Sequence, residues 1–238
     1  MVGSVASDSR CSGSDGLRQS RLLEADASGI VSTRGKELHE EWKKKRQATL
    51  AAGAEPTLSV TTATGIAHST AASSGASDEI RVEETQRESG RPGRAAFGQL
   101  VHETILRVPF GATRSDIGQV ANYVARVLGA SEDDAEAATI AVERALATPV
   151  MRAAAASERA HREYPILFRL ENGTLVEGIA DLAFETRLDG SARWTIVDFK
   201  TDRDLAPSLE RYRAQLRLYL QGIRKATGAE TSGVILWI

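Results

Sequence analysis

At about residue 160 the hydrophobic period of this chain changes from that of helices to that of strands, and the change confines the fold to helices layered on a sheet. Before that point Phe97, Leu100, Val101, Thr104, Ile105 and Val108 recur at three- and four-residue spacing, which predicts a helix with one buried stripe, ended by Pro109. Ile117, Val120, Ala121, Val124 and Leu128 repeat the pattern over residues 116–128, and Gly129 stops it. Ser131 with Asp134 reads as an acidic capping box for a third helix, while Thr148 and Pro149 supply the N-cap and first turn of a fourth, through Ala160.

After it, Tyr164–Leu170, Leu175–Leu188 and Trp194–Phe199 are β-branched or alternating runs. Glu171-Asn172-Gly173 and Asp189-Gly190 between them have hairpin-turn chemistry, so an antiparallel three-stranded meander is expected. Residues 207–225 predict a helix buried through Leu209, Tyr212, Leu216, Tyr219 and Ile223, with Arg213, Arg217 and Arg224 on another face and Gly228 as its end. Gly233–Ile238 reads as a last buried strand that leaves the end of the sequence at an edge of the sheet. The class is α/β or α+β: a mixed central sheet flanked by helices, built from the meander, a crossover helix and a further strand.

Ahead of this block the composition differs. Residues 1–33 hold eight serines and four glycines without a periodic apolar pattern, and are expected to be disordered. Residues 34–50 predict a short helix carrying Leu38, Trp42 and the basic run Lys43-Lys44-Lys45-Arg46, which reads as a solvated last turn. Residues 51–93 read as a linker, or over 51–78 as a weak strand, leaving 94–238 as the folded domain. The net charge of −2 argues against coating nucleic acid by bulk electrostatics but permits a local site. Cys11 alone excludes a disulfide framework, a four-thiolate zinc site and a cysteine-ligated iron–sulfur cluster. With no apolar run of about 18 residues and no secretory leader, the expectation is a cytoplasmic protein without a membrane partner.

The chemistry concentrates in two strands. Alternation over residues 175–185 places Ile179, Asp181 and Ala183 on one face and Ala180, Leu182 and Phe184 on the other, so that an aspartate stands mid-strand among apolar neighbours. In the next strand Asp198 and Lys200 share a face at its polar end. Burying an isolated carboxylate costs several kcal/mol and two close carboxylates repel, so a divalent cation between them is the least costly arrangement. Hard oxygen donors on a rigid sheet suit Mg²⁺ or Mn²⁺. A lysine beside them can orient water and offset charge on a phosphate, which predicts phosphodiester hydrolysis.

Asp181, a sixteen-residue gap and Asp198-Phe199-Lys200 resemble the PD-(D/E)XK nuclease signature. Phe97-Gly98-x-x-Val101-His102, Glu163-Tyr164-Pro165, Glu177-Gly178-Ile179-Ala180-Asp181-Leu182, Val197-Asp198-Phe199-Lys200-Thr201-Asp202 and Tyr212-x-x-Gln215-x-x-x-Tyr219 together resemble the nuclease domain of RecB/AddA-type helicase-nucleases. The resemblance implies a restriction-endonuclease-like fold over about residues 94–238. It implies Asp181, Asp198, the Phe199 carbonyl and His102 as metal ligands, Lys200 serving the water, and Gln215 and Tyr219 flanking the site. Glu163 and Glu177 would be outer contacts or ligands of a second ion, and Arg213 and Arg217 DNA contacts. The residues themselves leave Tyr212 and Tyr219 as packing residues, His102 as a core histidine, and Thr201 and Asp202 as caps of a strand-to-helix turn.

The expected activity is thus a Mg²⁺-dependent, exonucleolytic deoxyribonuclease of recombination or repair. The sequence contains no G-x-x-x-x-G-K-[ST] loop, so a helicase partner on another chain or domain is expected. Residues 42–46 and 60–64 resemble the connector preceding such nucleases, as in a detached nuclease domain. The alternatives are a non-catalytic DNA-end or helicase-binding module of the same fold, and a hydrolase of another phosphodiester.

Overall fold

A computed structural model describes residues 28–69, 80–86, 95–188 and 190–238. The expectations for residues 1–27, for parts of the linker and for Asp189 fall outside them. The chain divides into two units, residues 1–57 and 58–238. The first contains helix α1 (Ile30–Ala54), longer than the expected 34–50 because helix formers continue until the segment before Pro56. Its Trp42 stacks on His39 at 5.7 Å and lies under the Arg46 guanidinium.

The second unit is built on a six-stranded mixed sheet: β1 (Val60–Thr62), β2 (Ile80–Glu84), β3 (Arg159–Arg169), β4 (Leu175–Leu188), β5 (Ser191–Lys200) and β6 (Glu230–Trp237). The β3–β4–β5 meander is antiparallel as expected, whereas β5–β6, β6–β2 and β4–β1 pair in parallel. Two expectations are corrected here. Residues 58–69 and 80–86, read as linker or, up to residue 78, weak strand, contribute β1, helix α2 (Ala63–Ser69) and β2; each is too short to show a period and is fixed by partners more than 100 residues away. Strand β6 is interior, because β2 pairs with its outer side from Gly233 to Trp237.

Helices cover both faces. On one lie α3 (Ala95–Arg107), α4 (Arg114–Leu128), α5 (Glu132–Leu146) and α6 (Pro149–Ala156), whose Leu100, Ile105, Val142 and Met151 join Leu182, Phe184, Val197, Phe199 and Leu236 of the sheet. On the other lie α2 and α7 (Leu209–Thr227), where Leu216, Tyr219, Leu220 and Ile223 pack on Ile166, Phe168, Ala180, Trp194 and Ile235. The expected capping devices are present: Ser131 and Asp134 form a reciprocal box, Thr148 caps Met151, and Gly129 and Gly228 stop their helices at positive φ.

The alternation expected along β4 breaks at Asp181. Ala180 and Ala183 belong to the α7 side, while Leu182 and Phe184 belong to the α3–α6 side. Strand β3 breaks at the facing position: Tyr164, Ile166 and Phe168 pack toward α7. Arg162, by contrast, lies over Phe110 on the other side and donates to the Leu106 and Val108 carbonyls at the end of α3. Between them Glu163 has φ 51°, and its left-handed backbone lets the strand exchange faces. Asp181 therefore stands at a crossover rather than within a regular pleat.

Candidate active site

The crossover coincides with a fork in the sheet. One edge of β4 is taken by β3 from Leu175 to Glu185 except at Asp181; on the other, β5 pairs only from Leu182 onward and β1 only over Leu175–Glu177. Residues 178–181 face neither. Where the ladder ends, the Phe199 amide, which has lost its strand partner, donates to Asp181 Oδ2 at 2.6 Å.

The other side chains meet at this fork. His102 of α3 has Nδ1 3.6 Å from Asp181 Oδ1, and its Nε2 is 3.0 Å from the Phe199 carbonyl oxygen. Asp198 is 3% exposed, and its Oδ2 lies 2.6 Å from Lys200 Nζ. That approach is an ion pair off the hydrogen-bonding direction, so Oδ2 has no directed donor although it is buried. On α7, Gln215 donates to Tyr219 Oη at 2.9 Å.

Two glycines permit these approaches. A β-carbon on Gly98, one turn before His102, would lie 2.6 Å from Thr201 Oγ1, so the missing side chain lets α3 lie against the end of β5. A β-carbon on Gly178 would lie 2.4 Å from Tyr219 Cε1, so the missing side chain lets the tyrosine ring lie against β4 where β3 is its only strand partner.

The electrostatics follow from burying several charges together. Asp181 is pushed up to about 8, first by burial and then by the charge of Asp198, with Lys200 and the Phe199 amide opposing. His102 is lowered by burial and by Lys200, which favours the neutral ring. Burial alone would lower Lys200, but Asp198 and Asp181 outweigh it and hold the ammonium charged. Tyr219 is raised, chiefly by burial, and stays a neutral phenol.

Asp181, Asp198, Lys200, His102 and the Phe199 carbonyl are thus brought together. Glu163, exposed at the crossover, acts on Asp181 and His102 through its charge. Glu177 is exposed on the far side of the fork, paired in register with Thr62. Arg213 is engaged by Glu210 at 2.7 Å, and among the described residues no ion pair links Arg213 or Arg217 to the acidic pair. Asp202, expected in the motif and as a cap of the turn, has a further place that the sequence did not show: its carboxylate accepts the Tyr212 hydroxyl and its carbonyl accepts Trp237 Nε1–H at 2.7 Å. The only sequence signal for it was an acid two residues after Lys200.

The chain that carries these two acids, the lysine and the histidine matches the family model of the PD-(D/E)XK nuclease superfamily over residues 76–238, more than half of its length. The chain belongs to this superfamily. No curated protein matches it significantly.

Nucleases of this superfamily use divalent metal ions. Among the described residues no three His, Cys, Asp or Glu side chains are grouped as ligands around one point. The donors nevertheless fit a hard cation. The two carboxylates and the Phe199 carbonyl are the hard oxygen donors such an ion takes. Asp198 Oδ2 is the buried, undirected acceptor that a cation would satisfy. No helix among the described residues is long and apolar enough to cross a membrane.

Proposed function

We propose that this PD-(D/E)XK protein is a Mg²⁺- or Mn²⁺-dependent deoxyribonuclease of the RecB/AddA kind. In this reading it degrades DNA exonucleolytically in cytoplasmic recombination or repair, alongside a helicase. The observation that carries the hydrolytic part is the buried, undirected Asp198 carboxylate beside Lys200, at a fork where Asp181 and His102 also point. The RecB/AddA assignment and the helicase rest on the five motifs between Phe97 and Tyr219.

Asp181, Asp198, His102 and the Phe199 carbonyl would hold the cation. Bound there, it would supply Lewis acidity, neutralising charge on a phosphate and acidifying water. Lys200, kept charged by the two acids, orients the attacking water and donates to the phosphate as negative charge grows there. Tyr219 and Gln215 wall the site from α7 and shape the DNA path, with Glu163 and Glu177 as outer contacts and Arg213 and Arg217 meeting the backbone.

The test is cleavage of end-labelled single- and double-stranded DNA with Mg²⁺, with EDTA, and with Asp198→Ala. Metal-dependent degradation lost in the variant is expected. Degradation in EDTA, or by the variant, overturns the reading; retained DNA binding without cleavage points instead to a docking module of the same fold.

A further inference from the structure

Lys200 Nζ lies between two groups: Asp198 Oδ2 at 2.6 Å and the ring of Tyr212, whose centroid is 4.6 Å away. That ring is itself fixed. Its hydroxyl donates to Asp202, 3.1 Å from each carboxylate oxygen, and receives Arg211 Nη2 at 3.3 Å. The Asp202 carbonyl is in turn held by the indole N–H of Trp237, the residue paired with Lys200 in the β5–β6 register. The chain of contacts therefore leaves the sheet beside Lys200 and returns to the same lysine through the face of an aromatic ring.

We propose that Tyr212 and Asp202 form a positioning pair that holds the Lys200 ammonium against Asp198. The proposal deepens the nuclease reading and rests on it for the kinetic effect. A lysine has a flexible four-carbon stem and three rotatable donors, so its ammonium is placed only if something removes that freedom. The negative face of the ring does so from one side, and the hydroxyl's bond to a carboxylate enriches the ring on which the cation rests. In this role Tyr212 acts on the reaction through Lys200. Its place in the buried stripe of α7 accounts for packing but not for a hydroxyl shared between both oxygens of one carboxylate.

The experiment uses the full chain and three variants, Tyr212→Leu, Tyr212→Phe and Asp202→Asn, and follows kcat and KM on labelled DNA with Mg²⁺. Thermal midpoints and the side-chain NMR resonances of Lys200 are recorded without metal. In the unaltered protein the ring current shifts the Lys200 ε-methylene resonances upfield. Tyr212→Leu abolishes that shift and lowers kcat about tenfold, with KM within about twofold. Tyr212→Phe, which keeps the ring but loses its bond to Asp202, reduces the shift in part and lowers kcat about threefold. Wild-type kcat in Tyr212→Leu, or a Lys200 resonance that ignores the substitution, overturns the proposal. Should Tyr212→Leu fail to fold, Asp202→Asn must still reduce the shift and lower kcat about threefold; no change in either overturns it. An upfield Lys200 in a protein that never cleaves DNA sinks the nuclease reading alone, and cleavage with an unshifted lysine sinks the positioning pair alone.

Discussion

The Tyr219 ring lies across Gly178, with 2.4 Å between Cε1 and the place a β-carbon would occupy. A methyl group there must displace the ring or open the fork, and overpacking of this kind costs about 1–3 kcal/mol. Gly178→Ala is therefore expected to lower the thermal midpoint and DNA cleavage together. Adding Tyr219→Ala should make the stability losses less than additive, measured as a double-mutant cycle; strict additivity would show that the two residues do not meet.

The raised Asp181 gives stability a definite pH dependence in EDTA. A carboxylic acid at about 8 in the folded state and 3.8 in the unfolded state binds its proton more tightly when folded, so it stabilises the fold at low pH and loses that contribution as pH rises toward 8. His102, lowered from 6.5, works oppositely: it costs stability only as pH falls below 6.5. Between about 6.5 and 8 Asp181 acts alone, and urea denaturation should show stability falling with pH by at most about 1.4 kcal/mol per unit. Asp181→Asn should flatten this slope. Cation binding near pH 7 should release protons, seen in calorimetry as a heat that depends on the buffer.

Gly98 and Thr201 form a second close approach. Gly98→Ala is expected to push α3 from the end of β5, separating His102 from the Phe199 carbonyl, with lower stability and weaker Mn²⁺ binding. Thr201→Ala removes the atom that a Gly98 methyl would strike, so the double variant should regain part of both losses. Failure of that suppression would place the effect elsewhere on the helix.

Lys200 lowers both Asp181 and His102 through its charge. Lys200→Ala should therefore raise both groups, which NMR titration of the His102 ring protons reads directly. Mg²⁺ binding should survive the change while turnover falls by about 10²–10³-fold. Calorimetry showing the Mg²⁺ affinity abolished in Lys200→Ala would contradict a role confined to water and phosphate.

The helical stripes, the meander and the capping pairs were legible because each is a local pattern: Ser131 meets Asp134 three residues on, and Leu100 repeats at Thr104. The approach of Lys200 to Asp198, two residues apart on one strand, was legible for the same reason. What could not be read locally was decided by distant partners. The segment Ile80–Glu84 becomes a strand through β6, and nothing in five residues announces that. Strict alternation predicted one face for Asp181 and Ala183, but Glu163 adopts a left-handed backbone that only the facing strand explains. The ring contact between Tyr212 and Lys200 was hidden because Tyr212 also satisfies the helix period.

The interior place of β6 bears on how the chain is made. Strand β2 emerges about 150 residues before the segment it pairs with, so during synthesis its hydrogen-bonding edge stays open while everything between is translated. Long-range parallel pairing is slow to close, and an open strand edge invites association with other nascent chains. Until β6 is made, β2 has no strand to pair with and β5 keeps an open edge of its own, so β6 is the segment that joins the two.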